Sequence, residues 1–323
     1  GYAMRKLLLG TTALAAAATL SANAIADISI SGYYEWKYQS RSSNITTNDG
    51  TTFGNDSEIV FKFSNKTDSG LDISLTTELE ADDTDTAINE SSMTIAGGFG
   101  KLVLGNNDHV GDNYGIEEGD LISEEINATG VDSLTLLDSD IAGMDGDSNK
   151  IAYHLPAMGG LTAGVSFTNS GAAGASDTTA VGARYAMSAG GASITLGAAT
   201  ATTENSTQDI DSQNMGMKVV TGNVSVIVSQ GKYEASSTDE TGTGAGISFK
   251  VNDAMTVGAF TVEVEDDTSS EEYTNTGAEI QYTIASGLTA FINVEDYDYK
   301  IGTSTSTTAD SGTVSKLTIK ATF

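Results

Sequence analysis

Residues 27–39, DISISGYYEWKYQ, set Ile28, Ile30, Tyr34, Trp36 and Tyr38 at every second position, with Gly32 filling the gap. Between them stand Ser29, Ser31, Tyr33, Glu35, Lys37 and Gln39. A strand turns successive side chains to opposite faces, so this segment predicts a strand with one apolar and one polar face. The pattern does not stop there. It recurs over 58–66, 71–80, 87–96, 101–105, 149–155, 161–167, 181–187 and 192–198. It continues over 215–219, 224–228, 245–251, 255–259, 278–284, 288–294 and 317–323, which makes sixteen candidate strands.

The connections between them fall into two kinds. Seven are tight and rich in Gly, Ser, Asn and Asp: 67–70, 97–100, 157–160, 188–191, 221–223, 252–254 and 285–287. Eight are longer and polar: 40–56, 81–86, 105–148, 169–177, 201–213, 234–242, 265–272 and 296–312. The two kinds alternate strictly, so every long connection lies at one end of the sheet and both chain ends at the other. An even number of alternating strands with short turns on one side and long loops on the other is the pattern of a bacterial outer-membrane barrel. The apolar face then meets lipid and the polar face a lumen.

The charges agree. Lys37, Lys62, Lys66, Lys101, Lys150, Arg184, Lys218, Lys250, Lys316 and Lys320 all fall on the polar parity, and Arg41 and Lys300 are placed in loops. Lys232 alone falls on the apolar parity, near a strand end where its stem can reach the interface. A lysine at the lipid midplane would cost about 2–4 kcal/mol, which accounts for the segregation. A soluble sandwich also alternates, but nothing in it requires this alternation of loop lengths together with export.

Export is written at the start. Met4, Arg5 and Lys6 precede an apolar run from Leu7 to Leu20, and Ala24-Ile25-Ala26 offers a cleavage site, as in a secretory signal peptide. Residues 1–26 are therefore read as a short upstream extension plus cleaved leader, and 27–323 as a single barrel domain. Loss of Arg5 and Lys6 reduces 15 basic residues to 13 against 44 acidic, a formal charge of −31. That balance excludes nucleic acid as a partner. The chain has no cysteine, which suits a bacterial envelope, and one proline, which suits long paired strands.

Four stretches resemble the general, nonspecific trimeric porins of Gram-negative outer membranes, in particular the alphaproteobacterial type. They are ISISGY from Ile28, GFGKLVLG from Gly98, NKIAYHLP from Asn149 with Gly159-Gly160-Leu161, and the closing KLTIKATF that ends on Phe323. The family usually has Ser before that proline, where this chain has Leu155. The resemblance implies an all-β fold, a 16-stranded antiparallel transmembrane β-barrel whose third long loop, 105–148, folds inward and narrows the pore. It also implies a homotrimer in the outer membrane, lipid contact, and Phe323 as the signal read by the barrel-assembly machinery.

Such a channel passes ions and small hydrophilic solutes by passive diffusion and needs no catalysis, so no enzyme is expected. Residues 105–148 carry twelve acidic side chains and no lysine or arginine. Asp112, Glu117, Glu118, Asp120, Glu124 and Glu125 are the candidates for the acidic side of the constriction. Lys37, Lys62, Lys316 and Arg184 are the candidates for the basic pore wall, although Glu35, Glu58, Glu78 and Glu80 intrude near it. The acidic total predicts a cation-preferring channel. A substrate-selective porin for sugar or phosphate is the first alternative, and an acidic, calcium-stabilised surface or adhesion protein the second. No cofactor is expected. Calcium at Asp145 and Asp147 is the one metal option, although Lys150 and Pro156 stand where an EF-hand needs glycine and glutamate. His109 and His154 have no partner at zinc-ligand spacing, and His154 is expected to line the lumen.

Overall fold

The computed structural model describes residues 27–80, 88–121, 134–140, 148–169, 176–204, 208–302 and 309–323. The leader lies outside them. Sixteen strands close into one barrel, each paired antiparallel with its neighbours in sequence and the last with the first. The first half comprises β1 Asp27–Ser43, β2 Gly50–Lys66, β3 Asp72–Glu80, β4 Ile88–Gly97, β5 Gly100–Asn107, β6 Ser148–His154, β7 Leu161–Thr168 and β8 Asp177–Ala189. The second comprises β9 Ala192–Glu204, β10 Asp209–Thr221, β11 Val224–Ala235, β12 Thr238–Lys250, β13 Met255–Asp266, β14 Glu271–Ala285, β15 Leu288–Lys300 and β16 Asp310–Thr322. Each of the sixteen covers the segment expected from the alternation to within one terminal residue.

The apolar parity faces outward. Ile30, Leu75, Ile151, Val181, Met215, Ile247 and Ile292 are all exposed on the outer surface. In a water-soluble sheet these positions would seek a core; here they form the band that meets hydrocarbon. Phe323 continues the outward parity of β16. Its backbone N–H donates to the Gly32 carbonyl at 3.0 Å, tying the last residue to the first strand.

The tight turns sit at one end, as expected. Ala189 pairs directly with Ala192, so Gly190-Gly191 is a two-residue hairpin loop with φ of +58° and +83°. Two successive positive φ values match the twist of the flanking strands and are open only to residues such as glycine.

At the other end several connections are far shorter than their polarity suggested. The expected loop 234–242 is strand except at 236–237, and 265–272 is strand except at 267–270. Likewise β1 runs on to Ser43, β2 begins at Gly50, and β9 and β10 leave only 205–208 between them. Arg41 and Lys300, expected in loops, stand on β1 and β15. Above the lipid there is no demand for an apolar outer face, so ladders continue while the alternation that reveals them disappears. Lys232 does stand on the outer parity of β11, where Glu234 at 3.0 Å and Asp239 at 3.8 Å accompany it. Among the described residues, two clusters of buried apolar side chains lie inside the barrel, both where the third long connection meets the wall.

Candidate functional site: the constriction loop and the wall it faces

The connection after β5 turns into the lumen. A short helix, α1 Val110–Tyr114, lies against β7, β8 and β9. A 3₁₀ turn, Glu118–Leu121, then lies against β11, β12 and β13. Residues 134–140 return across the same wall before the chain rejoins the barrel in β6.

The wall makes room by omitting side chains. Gly164, Gly182, Gly197, Gly216, Gly231, Gly242 and Gly244 all lie on the inward parity of β7–β12. A Cβ on Gly182 would stand 2.7 Å from Tyr114 Cβ, and one on Gly197 2.7 Å from both Ile116 Cγ1 and the Tyr114 carbonyl oxygen. On Gly231 it would stand 2.7 Å from the Ser139 carbonyl, and on Gly242 and Gly244 it would collide with Asp138 and Glu118. Ordinary contacts begin at about 3.4 Å, so any side chain here would push the loop into the lumen. The inner wall is a glycine-floored seat on which the loop backbone rests directly.

Polar groups of the wall then grip that backbone, because buried N–H and C=O groups need partners. The Asn214 carboxamide accepts from the Ile116 N–H at 2.9 Å and donates to the Ile116 carbonyl at 3.0 Å. The same amide donates to the Ser139 carbonyl at 2.6 Å, so one β10 side chain holds both arms of the loop. Arg184 on β8 donates to the carbonyls of Tyr114, at 3.2 Å, and Gly115. Lys218 on β10 donates to the Asp120 carbonyl at 3.2 Å. At the loop's root, Ser166 Oγ accepts from the Val110 N–H at 3.1 Å and lies 2.9 Å from His109 Nδ1. Burial, with the Lys150 charge nearby, pulls the His109 imidazole down from 6.5 to about 4, so it is neutral at physiological pH. His154 does not line open water: its Nδ1 lies 2.8 Å from the Tyr114 hydroxyl, under the loop.

The expected site residues are distributed unlike the expectation. Glu117 and Glu118 are only 1 % and 2 % exposed. The Glu118 carboxylate accepts from Ser139 Oγ, which lies 2.6 Å from Ser229 Oγ, and so is turned onto the wall. Glu118, the first residue of the 3₁₀ turn, thus serves the loop's attachment, and Glu117 is buried just ahead of that turn. Asp112 and Asp120 keep partial exposure, and Asp120 lies 4.0 Å from Arg184. Glu124, Glu125, Asp145 and Asp147 lie outside the described residues. Arg184 stands on the loop's own side of the barrel, half a circumference from Lys37, Lys62 and Lys316, so it belongs to the seat and not to the opposite wall. That position follows from β8 lying across the closed ring from the seam where β16 pairs with β1.

The opposite wall, β1–β4 with β16, carries the lysines and also more acid. Lys37 pairs with Glu35 at 2.8 Å and Asp56 at 3.2 Å, and Lys320 pairs with Glu35. Lys62 is exposed and Lys316 half-buried on the inward parity. Facing them across the ladder, Glu35 stands opposite Asp56, Glu58 opposite Glu80, and Glu78 opposite Glu90. With Asp27, Asp72 and Asp310 added to these six, nine carboxylates against Lys37, Arg41, Lys62, Lys66, Lys316 and Lys320 leave this wall net acidic. Among the described residues no group of three or more His, Cys, Asp or Glu has an arrangement that could hold a metal ion. Asp56 and Glu90 on this wall, and the glycine seat, were missed from the sequence. The seat's signal was present: glycine recurs on the inward parity of consecutive strands.

Comparison with solved structures finds the same architecture. A loop-deletion form of OmpT from Vibrio cholerae superposes with a TM-score of 0.69 at 14% identity, covering 92% of this chain and 99% of that one. An anion-selective porin from Comamonas acidovorans gives 0.66 at 16% identity over 93% and 100%. A mutant of the Rh. blastica porin gives 0.62 at 16% identity over 92% and 100%. No curated protein sequence matches. The model of the Gram-negative porin family matches residues 10–302. With a closed sixteen-stranded barrel, a lipid-compatible exterior and a loop seated in the lumen, the chain belongs to the Gram-negative porin family and is a barrel of the outer membrane.

Proposed function

We propose that this porin is a passive diffusion channel for ions and small hydrophilic solutes, with a preference for cations. The observation that carries the preference is the set of facing carboxylates on β1–β4, Glu35–Asp56, Glu58–Glu80 and Glu78–Glu90, of which Asp56, Glu80 and Glu90 keep partial exposure to the lumen while Glu35, Glu58 and Glu78 stand buried behind them. Like charges placed directly across a ladder repel, and the arrangement is eased by mobile cations drawn to the wall. Acidic groups in a low-dielectric passage raise the local cation concentration, most strongly at low salt. The fold itself does not choose the sign, since one similar barrel is described as anion-selective. The charges on the wall choose it.

The test is the reversal potential of the purified protein in a planar bilayer across a KCl gradient. A potential of the cation-preferring sign supports the proposal, and the opposite sign refutes it. A homotrimer, with lipid around it and Phe323 addressed by the assembly machinery, completes the reading; a solved OmpT from Vibrio cholerae is itself described in a trimer form. A selective sugar or phosphate channel gains no support from the described lumen, where Tyr273, Tyr297 and Tyr299 are buried and give solutes no aromatic track. Calcium binding at Asp145 and Asp147 stays a separate proposal, tested by calcium titration of the intact protein.

A further inference from the structure

Beyond the lipid band, β13–β15 exchange the chemistry of their two faces. Thr261, Glu263 and Glu265, with Thr274, Asp296 and Asp298, stand on the outer parity. Val262, Val264, Tyr273, Tyr297 and Tyr299 stand on the inner parity, each no more than 1 % exposed. An apolar patch facing into a water channel must be covered, and Leu134 and Leu136 of the returning loop arm cover it, together with Val314 of β16. The backbone entering this patch still needs partners for its N–H groups. Glu240 of β12 supplies them: its carboxylate accepts from the Thr135 N–H at 2.9 Å and the Leu136 N–H at 2.7 Å. Glu240 is fully buried.

The groups around Glu240 do not replace it. Tyr233 on β11 and Asp266 on β13 are its cross-strand neighbours, and Glu271 on β14 faces Asp266. The Asp266 carboxylate is used on the Thr268 N–H at 2.7 Å and Ser269 Oγ at 2.8 Å. Lys232, the nearest lysine in register, is turned outward to Glu234 and Asp239. Asp138 and Asp140 lie further along the arm, over Gly242 and Gly231.

We propose that Glu240 is a positioning residue for the constriction: with Leu134 and Leu136 it latches the returning arm of the loop to the external half of the wall and so fixes the opening that solutes pass. The loop is then held at two stations. Asn214 grips both arms at mid-wall, and Glu240 holds one arm at the rim. Released from the rim alone, the arm swings from Ser139 into the lumen and interrupts the current. This inference rests on the channel reading above, and its test separates the two: a wild-type protein without conductance refutes the channel, whereas a conducting one with indifferent variants refutes the latch.

The experiment compares single-channel records of wild type, Glu240→Ala, Glu240→Gln and Leu136→Ala, each first checked for the heat-modifiable migration of an assembled barrel. Glu240→Ala and Leu136→Ala are expected to raise the frequency of partial closures at least several-fold. Glu240→Gln keeps the shape and one accepting oxygen, so it restores part of the wild-type behaviour. The reversal potential stays unchanged in all three, because Glu240 is out of the water path. Wild-type closure frequency in both Glu240→Ala and Leu136→Ala overturns the proposal. So does a shifted reversal potential in Glu240→Gln, which would make Glu240 a pore-lining charge. Failure of Glu240→Gln to assemble also overturns it, since the residue would then be a requirement of folding.

Discussion

Gly197→Ala tests the seat directly. The new Cβ would stand 2.7 Å from the Tyr114 carbonyl oxygen and 2.7 Å from Ile116 Cγ1, where ordinary contact begins at 3.4 Å. Something must move by about 0.7 Å. It will not be β9, which is laddered on one side to β8 and on the other to β10. The loop moves instead, and it moves away from Asn214. Bonds of 2.9 and 3.0 Å between Asn214 and Ile116 would open to about 3.6 Å, beyond useful hydrogen-bond range. Overpacking of this kind costs about 1–3 kcal/mol, which shifts the balance between seated and unseated loop by roughly 5- to 150-fold. The assay is single-channel recording of conductance and closure frequency. The control is Gly54→Ala on the free wall, where a Cβ meets nothing closer than Lys37 Cβ at 3.9 Å. Gly197→Ala should close or fluctuate far more often, and Gly54→Ala should not. Identical records for Gly197→Ala and wild type would refute the reasoning, because no seat that tight could accept a methyl group unnoticed.

Neutralising the free wall should act on selectivity alone. Glu80→Gln with Glu90→Gln, the partly exposed members of the facing pairs, is expected to move the reversal potential toward zero and leave closure frequency near wild type, measured in the same bilayers. Acidification should loosen the loop's root. His109 has a folded pKa of about 4 against an ordinary 6.5, so between those values the unseated chain takes up a proton that the seated one refuses. Stability therefore falls as pH drops through that window and is fully present above 6.5. Thermal unfolding of the detergent-solubilised protein between pH 7.5 and 4.5 checks this, and His109→Gln should flatten that part of the dependence.

How much of this was legible follows from which residues answer to lipid. The outer parity of Ile30, Ile151 or Ile247 is dictated by hydrocarbon, so the sixteen strands could be read from the alternation. Past the band that demand lapses. Glu263 and Glu265 lie outside and Val262 and Val264 inside, reversing the rule, and the strand there reads as loop. The charge pattern gave the composition of the site but not its directions. Nothing in the order Glu117-Glu118-Gly119-Asp120 says that a 3₁₀ turn will begin at Glu118, with the first two carboxylates buried and the third partly in water. Arg184 was readable as inward-facing, but its use as a donor to the carbonyls of Tyr114 and Gly115 depends on a loop seventy residues away in sequence. The glycine seat was readable in principle. Gly164, Gly182, Gly197, Gly216 and Gly231 share the inward parity of five consecutive strands, and a wall without side chains implies a backbone lying on it.

The basic and acidic residues of the lumen therefore divide the work differently from the expected pairing of acidic loop with basic wall. Arg184 and Lys218 spend their donors on loop carbonyls, and Lys37 and Lys320 spend theirs on Glu35. Glu118 is likewise committed to hydroxyls of the loop and wall. In the proposed channel it is the acidic excess of β1–β4 that acts on passing ions. On that proposal, seating and selectivity rest on separate sets of side chains on opposite sides of the barrel. Variants of the seat, such as Gly197→Ala, should change how often the channel closes while keeping its reversal potential. Variants of the free wall should change the reversal potential while keeping its closures. A single substitution in either set that moved both quantities together would mean that the loop's position, and not the wall's charge, determines which ions pass.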